Sequence, residues 1–238
     1  MKDFLINNYS VLTKSVELIA ALAGSYYLKK KPNSVLKIFV YYLWMTFVVE
    51  LIGGYSHLMQ DNYDKQWFID LKNSLLCSNH WLYNIYSLLT IGFLGVFYSG
   101  LLSKPSFKIL IRAIIVLYTL FALIFYTFTD AFFTMALPYD DILASVIVSI
   151  YVILYFIELM NSEVLLEYYK LPSFYISIAL FLWYICVTPL FIFDDYFKAV
   201  NTKFVDFRKV LLLIINICTY LGFAFGFWYA LYKSKNRQ

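Results

Sequence analysis

Apolar positions in this chain come in runs of about twenty residues, separated by short connections rich in lysine and aspartate. Seven runs stand out: Tyr9 to Leu28, Val35 to His57, Trp81 to Leu102, Ile109 to Thr129, Ile142 to Met160, Phe174 to Phe193, and Val210 to Tyr232. A bilayer-spanning helix needs about 20 mostly apolar residues. Only helices and closed barrels satisfy every backbone group in lipid. Barrel strands would be about ten residues long and alternate apolar with polar. These runs are twice that length and do not alternate. The pattern predicts an all-α, polytopic membrane helix bundle with about seven transmembrane helices, forming one domain over residues 1–238.

The connections differ in charge. Lys29, Lys30, Lys31 and Lys37 surround the first, Lys104, Lys108 and Arg112 the third, and Lys170 lies in the fifth. With Lys233, Lys235 and Arg237 at the chain end, these make eleven of the nineteen basic residues, all on one side of the expected bundle. Basic residues in short loops face the cytoplasm. The expected topology therefore has the N-terminus outside and the C-terminus in the cytoplasm, in the plasma (inner) membrane. Ala21-Leu22-Ala23 has the look of a signal-peptidase site. Yet Glu17 interrupts the apolar stretch before it and Asp3 sits in its head, whereas a signal peptide has a basic head and an unbroken apolar core. This segment is expected to remain as the first helix.

Composition agrees with the pattern. The chain is 62% hydrophobic and 14% charged, against about 25% charged in an ordinary soluble domain. The 23 Phe and 23 Tyr fit interfacial belts and helix packing. The lipid bilayer is the one partner composition demands. The basic residues are dispersed among loops and form no basic face, which argues against nucleic acid. Cys77, Cys186 and Cys218 lie far apart without metal spacing, so no metal or cofactor is expected. Cys186 and Cys218 read as small buried hydrophobes in helix packing.

Polar residues at depth carry the information, because an ionisable group in a bilayer faces the bundle interior and takes a partner. In the second run, Thr46, Glu50, Gly53, Gly54 and His57 share one helical face. Gly53 and Gly54 would let a neighbouring helix approach closely. The first run has a like stripe of Thr13, Glu17, Ala20, Ala21 and Gly24. The third opens with His80, Asn84 and Ser87. If these stripes converge, they form an outward-facing pocket with Glu17, Glu50, His57, His80 and Asn84 as its ligand-binding groups. Both histidines also lie near the water boundary, where histidine needs no special reason. Glu158 reads as an interfacial carboxylate reaching water. Pro189 is expected to bend the sixth helix. Gly222 and Gly226 form a GxxxG packing motif, which leaves a homo-oligomer open.

No catalytic signature is present: there is no HExxH and no GxSxG. Two histidines near one surface do not supply a three-ligand zinc site. Retinal proteins share the expected topology but need a lysine midway along the seventh helix. Asn216 and Cys218 stand there and Lys209 lies at the outer end, which excludes a retinal Schiff base. Three function classes remain. The first is a sensor or receptor-like module that binds a small polar ligand or ion in the outer pocket and signals through a cytoplasmic or membrane protein partner. The second is a small-solute or ion-coupled transporter. A short internal echo supports it: Ser34 to Trp44 and Ser173 to Trp183 span ten residues each, and parallel repeats are a transporter device. The third is a structural subunit of a larger membrane assembly.

Overall fold

A computed structural model describes residues 2–58, 65–137, 139–193 and 202–235. Among the described residues, seven long helices carry the fold: α1 (Tyr9–Lys30), α2 (Ser34–Gly53), α3 (His80–Leu101), α4 (Pro105–Phe128), α5 (Asp140–Met160), α6 (Pro172–Ile192) and α7 (Thr202–Lys235). Short helices precede α1 (Lys2–Asn7) and lie between α2 and α3 (Tyr55–Leu58 and Gln66–Lys72). The described residues contain no strand.

Local chemistry sets the helix starts. Asn33 caps α2 by accepting hydrogen bonds from the Val35 and Leu36 amides at 3.0 and 2.9 Å, which satisfies donors that the first helical turn leaves free. Pro105 and Pro172 open α4 and α6, the position where a missing N–H costs nothing. Glu158 near the end of α5 accepts from the backbone amides of Ser103 and Lys104 at the α3–α4 connection. Its carboxylate therefore acts as a cap across helices, a more specific task than reaching water.

Helices α2 to α7 are each long and apolar enough to cross a membrane, so the protein is an integral membrane protein. Helix α1 has 22 residues, about 33 Å at 1.5 Å per residue. Its stripe of Thr13, Lys14 and Glu17 sets it apart from the other six. It is nevertheless part of the wall, packed along both α2 and α7.

Six helices close into a ring in the order α1, α2, α3, α5, α6, α7, with α7 returning to α1. Helix α4 lies outside the ring against α3, and only Ile111, Tyr118 and Ala122 on it are buried. Its remaining surface is apolar, with Ile109 and Leu117 about two-thirds exposed. In water such a surface would be an aggregation liability, whereas in lipid it is the expected outer face. Cys186 and Cys218 are also exposed on this outer surface. That corrects their reading as packing residues: they sit on faces of α6 and α7 turned away from the ring.

The chain enters α1 at what is here called the Tyr9 end and leaves it at the Lys30 end. Near the Lys30 end the ring is filled by aromatic side chains. Phe39 packs on Phe97 and Phe223 at 5.1 Å between ring centroids, and Tyr98 lies 6.2 Å from Tyr151. All of these rings are at most 1% exposed. Five lysines at this end, Lys30, Lys37, Lys104, Lys170 and Lys233, each lie over an aromatic ring. An aromatic and basic girdle of this kind suits a headgroup region.

The GxxxG glycines join α7 to α6 inside one chain. A Cβ at Gly226 would stand 2.8 Å from Tyr175 Cβ, and one at Gly222 would stand 3.3 Å from Ala179 Cβ. Pro189 falls in the last turn of α6, where few backbone hydrogen bonds depend on it.

Candidate ligand cavity

Toward the Tyr9 end the ring is not filled. A cavity of about 420 Å³ runs from Tyr9, Gly54 and Asn79 at the helix ends down to Glu17 and Thr46. Its wall draws on α1, α2, α3, α6 and α7. Helical spacing of Thr13 and Glu17 on α1, and of Thr46 and Glu50 on α2, turns all four inward.

Glu17 is 3% exposed, and its Oε2 has no hydrogen-bond partner among the described residues. The same holds for Oγ1 of Thr13, which is 6% exposed. A buried oxygen without a partner costs about 1–3 kcal/mol, more if charged. Glu50 lines the same cavity. It accepts a hydrogen bond from the Tyr83 hydroxyl at 3.3 Å. The Lys14 ammonium lies at the mouth and interacts electrostatically with both carboxylates. The ionisable lining is therefore two carboxylates and one ammonium, with tyrosine hydroxyls around them.

The packing explains why this space stays open. Asn79 donates from its side chain to the Gly53 carbonyl at 3.1 Å and to Ser56 at 3.0 Å, which holds the end of α2 against the start of α3. Trp183 on α6 donates its indole N–H to Asn216 on α7 at 2.7 Å. Thr46 and Tyr86 pair at 3.1 Å. These bonds fix the wall without filling its centre.

The sequence-predicted residues divide. Glu17 and Glu50 line this cavity together. Gly53 and Gly54 line it too, Gly53 against the Tyr83 ring and Gly54 against Lys14. Helix α2 ends at Gly53, and residues 55–58 form a separate short helix. The stripe expected to continue to His57 is therefore interrupted, and the His57 side chain lies outside the described residues. His80 is the first residue of α3, half-buried, and lines neither this cavity nor the adjoining one. Asn84 lines the adjoining cavity rather than this one, is 3% exposed, and its amide donates to the carbonyls of Phe132 and Met135 at 2.8 and 3.0 Å. It clamps the α4–α5 connection onto α3.

A second cavity of about 250 Å³, here called the central cavity, lies inside the ring and also reaches the Tyr9 end, where Ala136, Asp140, Asp141 and Phe191 line it. Tyr83, Tyr86, Trp183 and Tyr220 line both cavities, so the two abut. Asp140 at the start of α5 faces the central cavity and is held by Tyr118, which also pairs with Ser87 at 2.8 Å. Thr90 Oγ1 lines the same cavity, is buried, and has no partner among the described residues. The described residues include no cluster of three or more His, Cys, Asp or Glu side chains arranged to hold a metal ion.

Sequence reasoning missed Tyr83, Tyr86, Trp183 and Tyr220. Tyrosine is too abundant here for type alone to mark the inward ones. Asn216 did carry a signal, as a lone amide in an apolar helix.

The residues above define what the site offers: a mouth at the Tyr9 end, two carboxylates at depth, aromatic walls, and a closed aromatic layer beyond. Comparison of the chain with protein-family models, with curated proteins and with solved structures finds no match.

Proposed function

We propose that this integral membrane protein is a receptor-like binding module that takes a small cationic or polar ligand from outside into the cavity between Glu17 and Glu50. The observation that carries it is Glu17, a cavity-lining carboxylate that is 3% exposed and has an oxygen without a hydrogen-bond partner among the described residues. Bilayer energetics favour such a group only where it pairs or serves a pathway. In the same reading α1 spans the plasma (inner) membrane as the seventh helix, with the Tyr9 end outside and the lysine girdle in the cytoplasm. A signal would pass through the girdle loops to a protein partner.

A carrier is the second reading, favoured by the second cavity that adjoins the first within the ring. The Phe39, Phe97, Phe223 and Phe227 layer closes the way beyond it. Binding needs no movement of that layer, whereas transport must open it.

The test is thermal unfolding of the purified chain in mild detergent against inorganic cations, ammonium compounds and neutral polar metabolites. A compound that binds only the folded state raises the melting temperature. The reading expects at least one cation to stabilise wild type and to lose that effect in Glu50→Gln. Uptake into proteoliposomes of the same compound would favour the carrier. No shift with any compound, in wild type and Glu50→Gln alike, would remove the binding reading.

A further inference from the structure

The two cavities together specify a ligand more narrowly than either alone. The outer one offers two carboxylates and, at its mouth, the Lys14 ammonium, with Tyr9 and Tyr83 beside them. Its wall toward the bundle centre is aromatic: Tyr83, Tyr86, Trp183 and Tyr220. Ring faces attract cations, and an organic ammonium loses less hydration than a bare metal ion when it moves against them. The central cavity differs in character. Ile91, Leu180, Val187 and Phe223 contribute apolar wall to it, and several of its polar side chains are engaged by neighbours. Ser87 and Asp140 are taken up by Tyr118, and Thr188 by Ser145. Of its two carboxylates, Asp140 is held by Tyr118 and Asp141 also has a partner, so the chamber offers an incoming cation less than Glu17 does.

We infer that the ligand class is an organic ammonium with an apolar body, its cationic head between Glu17 and Glu50 and its body directed past Tyr86 and Trp183 into the central cavity. This rests on the binding reading above and narrows it. A bare metal ion would leave the central cavity unused. An anion would face two carboxylates against one ammonium. A neutral apolar molecule would leave the buried Glu17 oxygen without a partner. An ammonium with a body of a few carbons meets all three features: the carboxylate pair, the aromatic partition and the apolar chamber.

The experiment measures affinity for the n-alkylammonium series from methylammonium to hexylammonium, with n-hexanol and sodium chloride as references, on the full chain in detergent. Each methylene that enters the central chamber is expected to tighten binding by about three- to fourfold, until the chamber is full. Hexanol is expected to bind at least about tenfold more weakly than hexylammonium, because it lacks the head. In Thr90→Leu, which narrows the central chamber, the gain per methylene should stop at a shorter chain. The wild-type series alone decides the matter if that variant does not fold. Affinity independent of chain length, or hexanol binding as tightly as hexylammonium, overturns the inference. If sodium or methylammonium binds and the longer ions gain nothing, this ligand class fails while the binding reading stands. If none of the panel binds, this ligand class fails, and the binding reading fails with it when the broader panel of cations and polar metabolites gives no shift either.

Discussion

Tyr83 on α3 donates its hydroxyl to Glu50 on α2 at 3.3 Å, and it reaches that oxygen because residue 53 is a glycine. A Cβ at Gly53 would stand 2.8 Å from the Tyr83 hydroxyl and 3.2 Å from its ring. The close approach of α2 and α3 thus serves the orientation of a cavity carboxylate as well as packing.

Gly53→Ala should therefore push Tyr83 off Glu50 and cost about 1–3 kcal/mol through overpacking. Tyr83→Phe should cost about 1 kcal/mol for the lost hydrogen bond. Because the tightest overlap is with the hydroxyl, Gly53→Ala should cost less when combined with Tyr83→Phe than it does in wild type. A double-mutant cycle read by thermal or denaturant unfolding checks this, and strictly additive costs would count against the geometry.

The two glycines of α7 should behave differently. Gly226→Ala meets Tyr175 Cβ at 2.8 Å, an atom that cannot swing away, whereas Gly222→Ala meets only Ala179 Cβ at 3.3 Å. Expected costs are about 1–3 kcal/mol for the first. For the second they are near zero, because the gain of up to about 1 kcal/mol in helix propensity offsets the tighter contact. Melting temperatures of the two variants give the order. The same variants should leave the oligomeric state unchanged in size-exclusion light scattering, since both glycines are occupied within the chain.

Asn84→Ala removes two donors from the carbonyls of Phe132 and Met135. Leaving those groups without donors costs about 1–3 kcal/mol. Hydrogen exchange should speed up in residues 130–137 above all. A ligand-contact role for Asn84 would instead show as weakened binding with exchange in that segment unchanged.

Glu158→Ala should expose the amides of Ser103 and Lys104 to faster exchange and lower stability by about 1 kcal/mol, the usual cost of a lost cap. Glu158→Gln keeps an acceptor and should lose less. Equal losses in both variants would mean that the charge alone matters.

The spans were legible in the sequence because lipid imposes one rule on every helix, apolar length. The predicted start at Tyr9 and end at Met160 match α1 and α5 to the residue, and other boundaries differ mostly by a few positions. Two larger departures have local causes. Helix α2 stops at Gly53, where Asn79 takes the carbonyl. Helix α7 extends over 34 residues, because Lys203, Asp206, Arg208 and Lys209 form a polar first part that an apolar window does not count. Glu17 and Glu50 were legible for a similar reason, as ionisable groups in apolar helices. Their partners were not. That Trp183, Asn216 and Tyr220 share their wall follows from α7 closing back onto α1, a contact between the two ends of the chain that local periodicity does not encode. The echo between Trp44 and Trp183 also resolves only in three dimensions. Trp44 donates to Ser25 on the preceding helix at 2.9 Å, whereas Trp183 donates to Asn216 on the following one, so the two tryptophans do not occupy equivalent places.

The most direct test of the Glu17–Glu50 cavity is titration calorimetry of hexylammonium into wild type, Glu17→Gln, Glu50→Gln and, as a remote control, Glu158→Gln. The account expects saturable binding in wild type and in Glu158→Gln, weakened by at least about tenfold in each cavity variant. Equal affinity in all four proteins, or no binding to a wild type that unfolds cooperatively, would contradict it.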